Sequence, residues 1–221
     1  VGTATVDGAT RFTLNGAPVF HMGTLDQGYW PDGIYTAPTD EALQSDLQAH
    51  VDLGFNAVRK HVKVEPRRWY YHADRLGLLV WQDLAASAVR EEVPSETGQE
   101  QFETHLRRTV EELDSHPSVV AWVPFNEGWG TFDVPGVVDR IRGIDPTRPV
   151  DAQSGIDVCE GADRICGPRG AGDVLDYHNY PGPGSVPPGD GQAAVLGEYG
   201  GVGLRVEDHL WNPDREYAYA S

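Results

Sequence analysis

Two glutamates are placed where chemistry is expected, each after an apolar run and before glycine. Glu127 lies in Pro124-Phe125-Asn126-Glu127-Gly128-Trp129-Gly130, and Glu198 in Leu196-Gly197-Glu198-Tyr199-Gly200-Gly201. Two carboxylates facing each other suit a double displacement at an acetal carbon. One attacks the carbon; the other protonates the leaving oxygen and then deprotonates water, with the two carboxyls about 5–5.5 Å apart. The acid partner must hold a proton near neutral pH, so its pKa has to be raised. A negative neighbour supplies part of that shift. A site that only binds has no need of two opposed carboxylates.

Other apolar runs also end in reactive groups: Arg59-Lys60-His61, Trp81-Gln82-Asp83 and Tyr177-His178-Asn179-Tyr180. Arg59 is suited to keeping Glu198 ionised by pairing with it. His61 and His178 are candidates for polar contacts in the same place. Trp30, Trp81, Trp129 and Trp211 offer faces on which a sugar could stack, Trp129 foremost because it follows the Glu127 loop. Trp122 falls within an apolar run and is expected to pack, as are Trp69, Tyr70 and Tyr71 on a helix. Asp133, Asp139 and Asp151 are read as structural. The histidines show no metal-ligand spacing, so no metal is expected. Ser118 and Ser154-Gly155 sit in no nucleophile elbow, which argues against a serine hydrolase.

These groups need strands to position them. Apolar runs at Val19–Met22, Asn56–Arg59, Leu78–Gln82, Val119–Phe125, Val150–Gln153, Val174–Tyr177 and Ala194–Gly197 alternate with helical patterns. Thr39 can cap a helix over 40–53. Glu65-Pro66 opens a second helix that Gly77 stops near Leu76. A third spans 99–114 and a fourth Val134 to Arg142. Strand and helix in alternation predict an α/β fold with a parallel sheet. Reactive residues at the C-terminal strand ends predict a (β/α)8 TIM barrel. No Gly-rich dinucleotide loop follows the first run, so no cofactor is expected. Residues 1–18, with turns at Asp7-Gly8 and Asn15-Gly16, read as a hairpin or linker leading into the barrel. Residues 19–221 read as the barrel itself, truncated before its eighth strand.

Composition narrows the partners. The chain has 221 residues, 17 basic and 34 acidic, for a formal net charge of −17. Such a surface repels phosphate backbones and anionic lipid, so neither nucleic acid nor membrane is an expected partner. No apolar run approaches the roughly 20 residues of a membrane helix. A neutral carbohydrate is compatible with the charge. Cys159 and Cys166 lie close together in a Gly-rich stretch. They read either as a disulfide, which would suit a secreted protein, or as separate thiols in a cytoplasmic one.

Taken together, several stretches resemble the catalytic domain of glycoside hydrolase family 2, which holds β-galactosidases, β-mannosidases and β-glucuronidases. They are Gly54-Phe55-Asn56-Ala57-Val58-Arg59, Trp69-Tyr70-Tyr71 through Leu76 to Asp83, His116-Pro117-Ser118, Asn126-Glu127 and Gly197-Glu198-Tyr199-Gly200. The resemblance covers residues 12–211 in order. It implies a retaining, cofactor-free β-glycosidase with Glu127 as acid/base and Glu198 as nucleophile. It further implies that Asn126 binds the sugar 2-hydroxyl, that Arg59 supports Glu198, and that His178 and Tyr180 lie near the nucleophile. Trp129, Trp81 and Asp83 would line the sugar subsite. Accessory β-sandwich domains are expected in a complete member. The chain departs from the family in two motifs. His21-Met22-Gly23-Thr24-Leu25-Asp26 stands where large bacterial β-galactosidases carry a metal-linked His-Glu pair, and the Asn-x-Lys signature of β-glucuronidases is absent. The competing reading is a non-catalytic sugar-binding barrel or an inactive fragment of a larger glycosidase.

Overall fold

The computed structural model describes residues 1–85, 93–155, 171–184 and 191–207, together with 210, 212, 218 and 220. Cys159, Cys166 and Trp211 lie outside the described residues. Among those described, no helix is long and apolar enough to cross a membrane.

The chain opens with an antiparallel meander, β1 (Gly2–Val6), β2 (Ala9–Leu14) and β3 (Ala17–Pro18). Its two turns, Asp7-Gly8 and Asn15-Gly16, have positive φ throughout, the twist that matches flanking antiparallel strands. Then come β4 (Gly23–Asp26), α1 (Asp40–Asp52), β5 (Ala57–Lys60), α2 (Arg67–Leu76), β6 (Leu79–Asp83), α3 (Glu96–Leu113), β7 (Val119–Val123) and α4 (Val134–Ile144). β8 (Val174–Asn179) and β9 (Ala193–Tyr199) follow. β4 to β7 form one parallel sheet in sequence order, and β8 pairs β9 in parallel.

Residues 150–154 join the two sheets without becoming a regular strand. Trp122 N donates to Pro149 O (3.1 Å), Asp151 N to Trp122 O (2.9 Å) and Ser154 N to Phe125 O (3.0 Å), while Asp173 N donates to Val150 O (2.8 Å). The run expected at Val150–Gln153 is therefore reduced to bridges at Val150 and Ser154. Pro124 is the physical reason: it sits between the bridged residues Trp122 and Asn126 and has no N–H to donate to the ladder. The first strand also differs from its expected place at Val19–Met22. Val19 N donates to Phe12 O (3.0 Å), extending the meander, and the parallel ladder begins only at Gly23.

Helix ends follow local chemistry. Thr39 Oγ1 accepts from Ala42 N at 3.1 Å and starts α1. Ser95 Oγ accepts from Gly98 N at 3.2 Å, so α3 starts at Glu96, three residues earlier than its apolar pattern suggests. The helices cover the outer sheet face, where Leu47, Val58, Tyr70, Val110 and Val137 are fully buried. Each such aliphatic side chain contributes about 1.5–3 kcal/mol. A second cluster, including Phe12, Ala57, Leu79, Trp81 and Val123, fills the inner face.

The fold is that of a TIM barrel, and the sheet does not close within the described residues. Between β4 and β9, its two outermost strands, lies a groove of about 860 Å³ that runs from the meander up to Arg59, Tyr180 and Glu198. Buried polar residues pin the loops at the upper end. Lys60 Nζ pairs with Asp26 (2.6 Å) and Glu65 (2.7 Å), and Tyr70 Oη donates to Gln82 Oε1 (2.6 Å). Gln82 Nε2 in turn donates to Lys63 O (2.8 Å), which fixes the loop that carries His61.

Candidate active site

The C-terminal ends of β5, β6, β7, β8 and β9 converge on one cluster. Arg59, at the end of β5, is its hub. Its Nε and Nη2 donate to the two oxygens of Asp83, on β6, at 2.9 and 3.0 Å. Nη1 donates to Glu198 Oε1 on β9 at 3.0 Å, and Nη2 also donates to Asn126 Oδ1 at 2.9 Å. Burial works against the guanidinium charge, but Asp83 and then Glu198 more than offset it and raise its pKa. A planar fork is the side chain that can serve three acceptors at once.

Glu198 is 6% exposed and has a second firm partner: Tyr180 Oη donates to its Oε2 at 2.7 Å. His61 Nε2 stands 3.6 Å from Glu198 Oε1 and 4.0 Å from Asp83 Oδ2. Gln27 Nε2 lies 3.2 Å from the other ring nitrogen of His61, Nδ1. Gln27 can only donate through that nitrogen, so Nδ1 accepts and Nε2 carries the hydrogen that faces the carboxylates. Burial, with Arg59 adding to it, lowers the His61 pKa despite Asp83.

Glu127 follows β7 with φ 49°, a left-handed backbone. Strained backbone of this kind persists where the surroundings over-determine it. Here Glu127 N donates to Ser154 O at 2.9 Å and Trp129 N to Asn126 O at 2.9 Å, closing the Asn126–Trp129 turn. Glu127 Oε1 lies 3.0 Å from His178 Nδ1. A carboxylate oxygen of Glu127, one of Glu198 and a ring nitrogen of His178 all lie within 4.8 Å of one another. A cation could sit among such atoms; Glu127 Oε1 and His178 Nδ1 are equally within reach of sharing a proton. His178 is buried, which disfavours its charge; Glu127, Asp176 and Glu198 reverse that and raise its pKa.

Of the residues expected from sequence, Glu127, Glu198, Asn126, Arg59, His178, Tyr180, Asp83 and His61 thus meet in one cluster. Trp129 is half-buried beside the Glu127 turn. Trp81 lines the same groove as Arg59, Tyr180 and Glu198. It lies two residues before Asp83, 6% exposed, with Phe12 edge-on at 5.4 Å and its indole N–H given to His21 Nδ1 at 2.9 Å. It forms part of the inner cluster below the charged residues. Asp151, read from sequence as structural, is fully buried under the site, and Ser154 and Asp176 join His178 from below. The sequence does carry a signal for Asp176. It stands two residues before His178 in a run whose buried positions alternate, so both face inward.

The family model described as glycosyl hydrolases family 2, TIM barrel domain, matches residues 10–177. A β-mannosidase of Rattus norvegicus is 36% identical over 121 residues, 52% of this chain and 13% of the rat protein. A putative β-glucuronidase of Formosa agariphila is 30% identical over 144 residues, 63% of this chain and 14% of that protein. Among solved structures, a β-glucuronidase of Parabacteroides merdae is similar in fold, with a TM-score of 0.63 at 21% identity, covering 78% of this chain and 21% of that one. The chain thus matches over only 13 to 14% of the length of these two curated relatives.

Proposed function

That this chain belongs to the glycosyl hydrolases of family 2, through their TIM barrel domain, is the premise from which we propose that it cleaves terminal β-linked sugars with retention of configuration. Glu198 is the nucleophile and Glu127 the acid/base. The observation that carries this reading is the approach of the two carboxylates, with oxygens within 4.8 Å of each other. That suits double displacement, whereas an inverting pair stands about 6.5–9.5 Å apart to admit a water.

The environments of the two carboxylates support the division of labour. Glu198 has Arg59 and Tyr180 donating to its two oxygens, which favours the ionised form needed for attack. Glu127 faces an imidazole with which it can share a proton. In the first step a Glu198 oxygen bonds the anomeric carbon and the bond to the aglycone breaks. The proton held at Glu127 goes to the leaving oxygen. In the second, water gives a proton to Glu127, its oxygen bonds the anomeric carbon, and Glu198 departs as carboxylate. Arg59 holds the Asn126 amide by its oxygen, so the Nδ2 hydrogens are the end offered to the sugar 2-hydroxyl. His61 Nε2–H and the Trp129 face are further contacts for the ring. The relatives include a β-mannosidase and a putative β-glucuronidase, so the sugar is left to a panel of aryl β-glycosides.

The test is Glu198→Ala with azide. Loss of turnover that azide restores, with a glycosyl azide of inverted configuration as product, is expected. A folded Glu198→Ala protein that retains turnover would overturn the assignment.

A further inference from the structure

Beneath the two glutamates lies a buried chain of polar groups that none of the steps above uses. Ser154 Oγ donates to Asp176 Oδ2 at 2.7 Å and lies 2.8 Å from His178 Nε2. The other oxygen of Asp176 accepts from Gly197 N at 2.7 Å. Ser154, Asp176 and His178 are 0, 1 and 6% exposed. Two glycines make room for them. A Cβ on Gly155 would meet His178 Nδ1 at 2.6 Å, and one on Gly197 would overlap the Asp176 carboxylate.

Donors and acceptors can be assigned along this chain. Asp176 receives two donors, from Ser154 and Gly197, whereas its buried neighbour Asp151 receives none among the described residues and has the Asp176 carboxyl as its side-chain hydrogen-bond partner, to which a protonated Asp151 donates. The negative charge of the pair therefore belongs on Asp176. Burial and then Asp176 push the Asp151 carboxyl well above the usual range, consistent with a neutral acid there. A serine hydroxyl has one proton, and Asp176 takes it. Ser154 Oγ can then only accept from His178, so Nε2 carries a hydrogen and Nδ1 is the nitrogen turned to Glu127.

We propose that Ser154 and Asp176 are positioning residues that fix the His178 tautomer, so that Nδ1 and the Glu127 carboxyl hold between them the single proton that the leaving group receives. The inference rests on the role of Glu127 as acid/base. Among the described residues, the charged and titratable groups facing His178 are Glu127 from the turn after β7, Asp176 on β8, Glu198 on β9, Arg59 on β5 and His61 just after it. Glycosylation of Glu198 removes one negative charge 3.5 Å from Nδ1. Glu127 is then left as the base that the second step needs.

Asp176→Asn is the decisive variant. Gly197 N–H keeps the side-chain oxygen on its side, so the amide nitrogen faces Ser154 and donates to it. Ser154 must then donate to Nε2, and the ring proton moves to Nδ1, where it holds Glu127 as carboxylate. The expected result is a loss of about 10²-fold or more in kcat/KM for a phenyl β-glycoside, the scale of general acid catalysis. Loss on the dinitrophenyl glycoside of the same sugar is expected to stay under about 10-fold, since a leaving group of low pKa needs little protonation. Ser154→Ala should act in the same direction and Ser154→Thr should restore activity. Long-range nitrogen–proton spectra of histidine-labelled protein, with His178 identified by its loss in His178→Gln, read the tautomer independently of turnover. Nε2–H in the wild type and Nδ1–H in Asp176→Asn are expected at a pH above the titration of the ring. Nδ1–H in the wild type, or no change in the variant, overturns the proposal. So do equal losses on both glycosides from a protein that melts normally. If the acid/base assignment itself fails, turnover survives Glu127→Ala on both substrates while the tautomer result still stands.

Discussion

Arg59 Nη1 lies 3.0 Å from Glu198 Oε1 across 139 residues of chain. That contact joins the second strand of the parallel sheet to the last described one. The same guanidinium holds Asp83 with its remaining fork. Both carboxylates are buried, so the arginine serves the fold as well as the site.

Arg59→Ala would leave Asp83 and Glu198 buried beside each other without their cation. Breaking a buried pair in this way costs about 3–5 kcal/mol. Chemical denaturation should show a drop of that size, and Arg59→Lys should recover only part, because a point charge cannot serve Asp83, Glu198 and Asn126 together. Unchanged stability in Arg59→Ala would show that the cluster is solvated.

Tyr180→Phe removes the hydroxyl that donates to Glu198 Oε2. A hydrogen bond to a charged group is worth about 1.5–3 kcal/mol, so turnover should fall roughly 10- to 100-fold, with a fall of several degrees in melting temperature beside it. Steady-state kinetics beside a thermal melt checks both. A loss of stability with normal turnover would assign Tyr180 to the fold alone.

Gly155→Ala should disable the site from behind. Gly155 has φ +73°, and a Cβ there meets the His178 ring at 2.6 Å. Strain of this type costs about 1–3 kcal/mol, and the ring must move off Glu127. Activity should fall further on phenyl than on dinitrophenyl glycosides; a variant with wild-type ratios would place the ring elsewhere.

Acid should destabilise the fold through His21. Its Nδ1 accepts the Trp81 indole hydrogen, and burial lowers its pKa from 6.5 to about 4. Between those values the unfolded chain binds a proton that the folded one refuses, so stability falls as pH falls from 6.5 towards 4. Melting curves across that window should be less pH-dependent in His21→Gln, which keeps an acceptor for Trp81. Identical slopes would place the acid sensitivity in other groups.

Chelation offers a separate check on the cluster of Glu127, His178 and Glu198. If these atoms share protons, prolonged dialysis against EDTA leaves turnover unchanged. Loss restored by a divalent cation would mean that an ion, and not a proton, sits between them.

Much of the site was legible in the sequence because strand ends are local. Glu127, Glu198, Arg59, Asp83, His61 and His178 each follow an apolar run, and a parallel α/β sheet brings such ends to one side. The start of α1 is legible in Thr39, whose hydroxyl caps it, whereas the apolar pattern of α3 begins three residues after its cap, Ser95. The alternation of strand and helix fixed the class of fold, and the combination of short motifs fixed the family.

What only the tertiary structure decided are relationships between strands far apart in sequence. The backbone break at Pro124 turned an expected strand into two bridges. Trp81, a sugar-stacking candidate by its place at a strand end, is held by Phe12 and His21 of the meander in the inner cluster, where it lines the groove that reaches Glu198. Ser154 and Asp151 are ordinary polar residues in the sequence, and Asp176 is marked there only by sharing the inward face of its strand with His178. Their role follows from burial in a common space, where each donor must find one acceptor. Hydrogen bonds across strands are set by register and twist, and no single segment encodes those quantities.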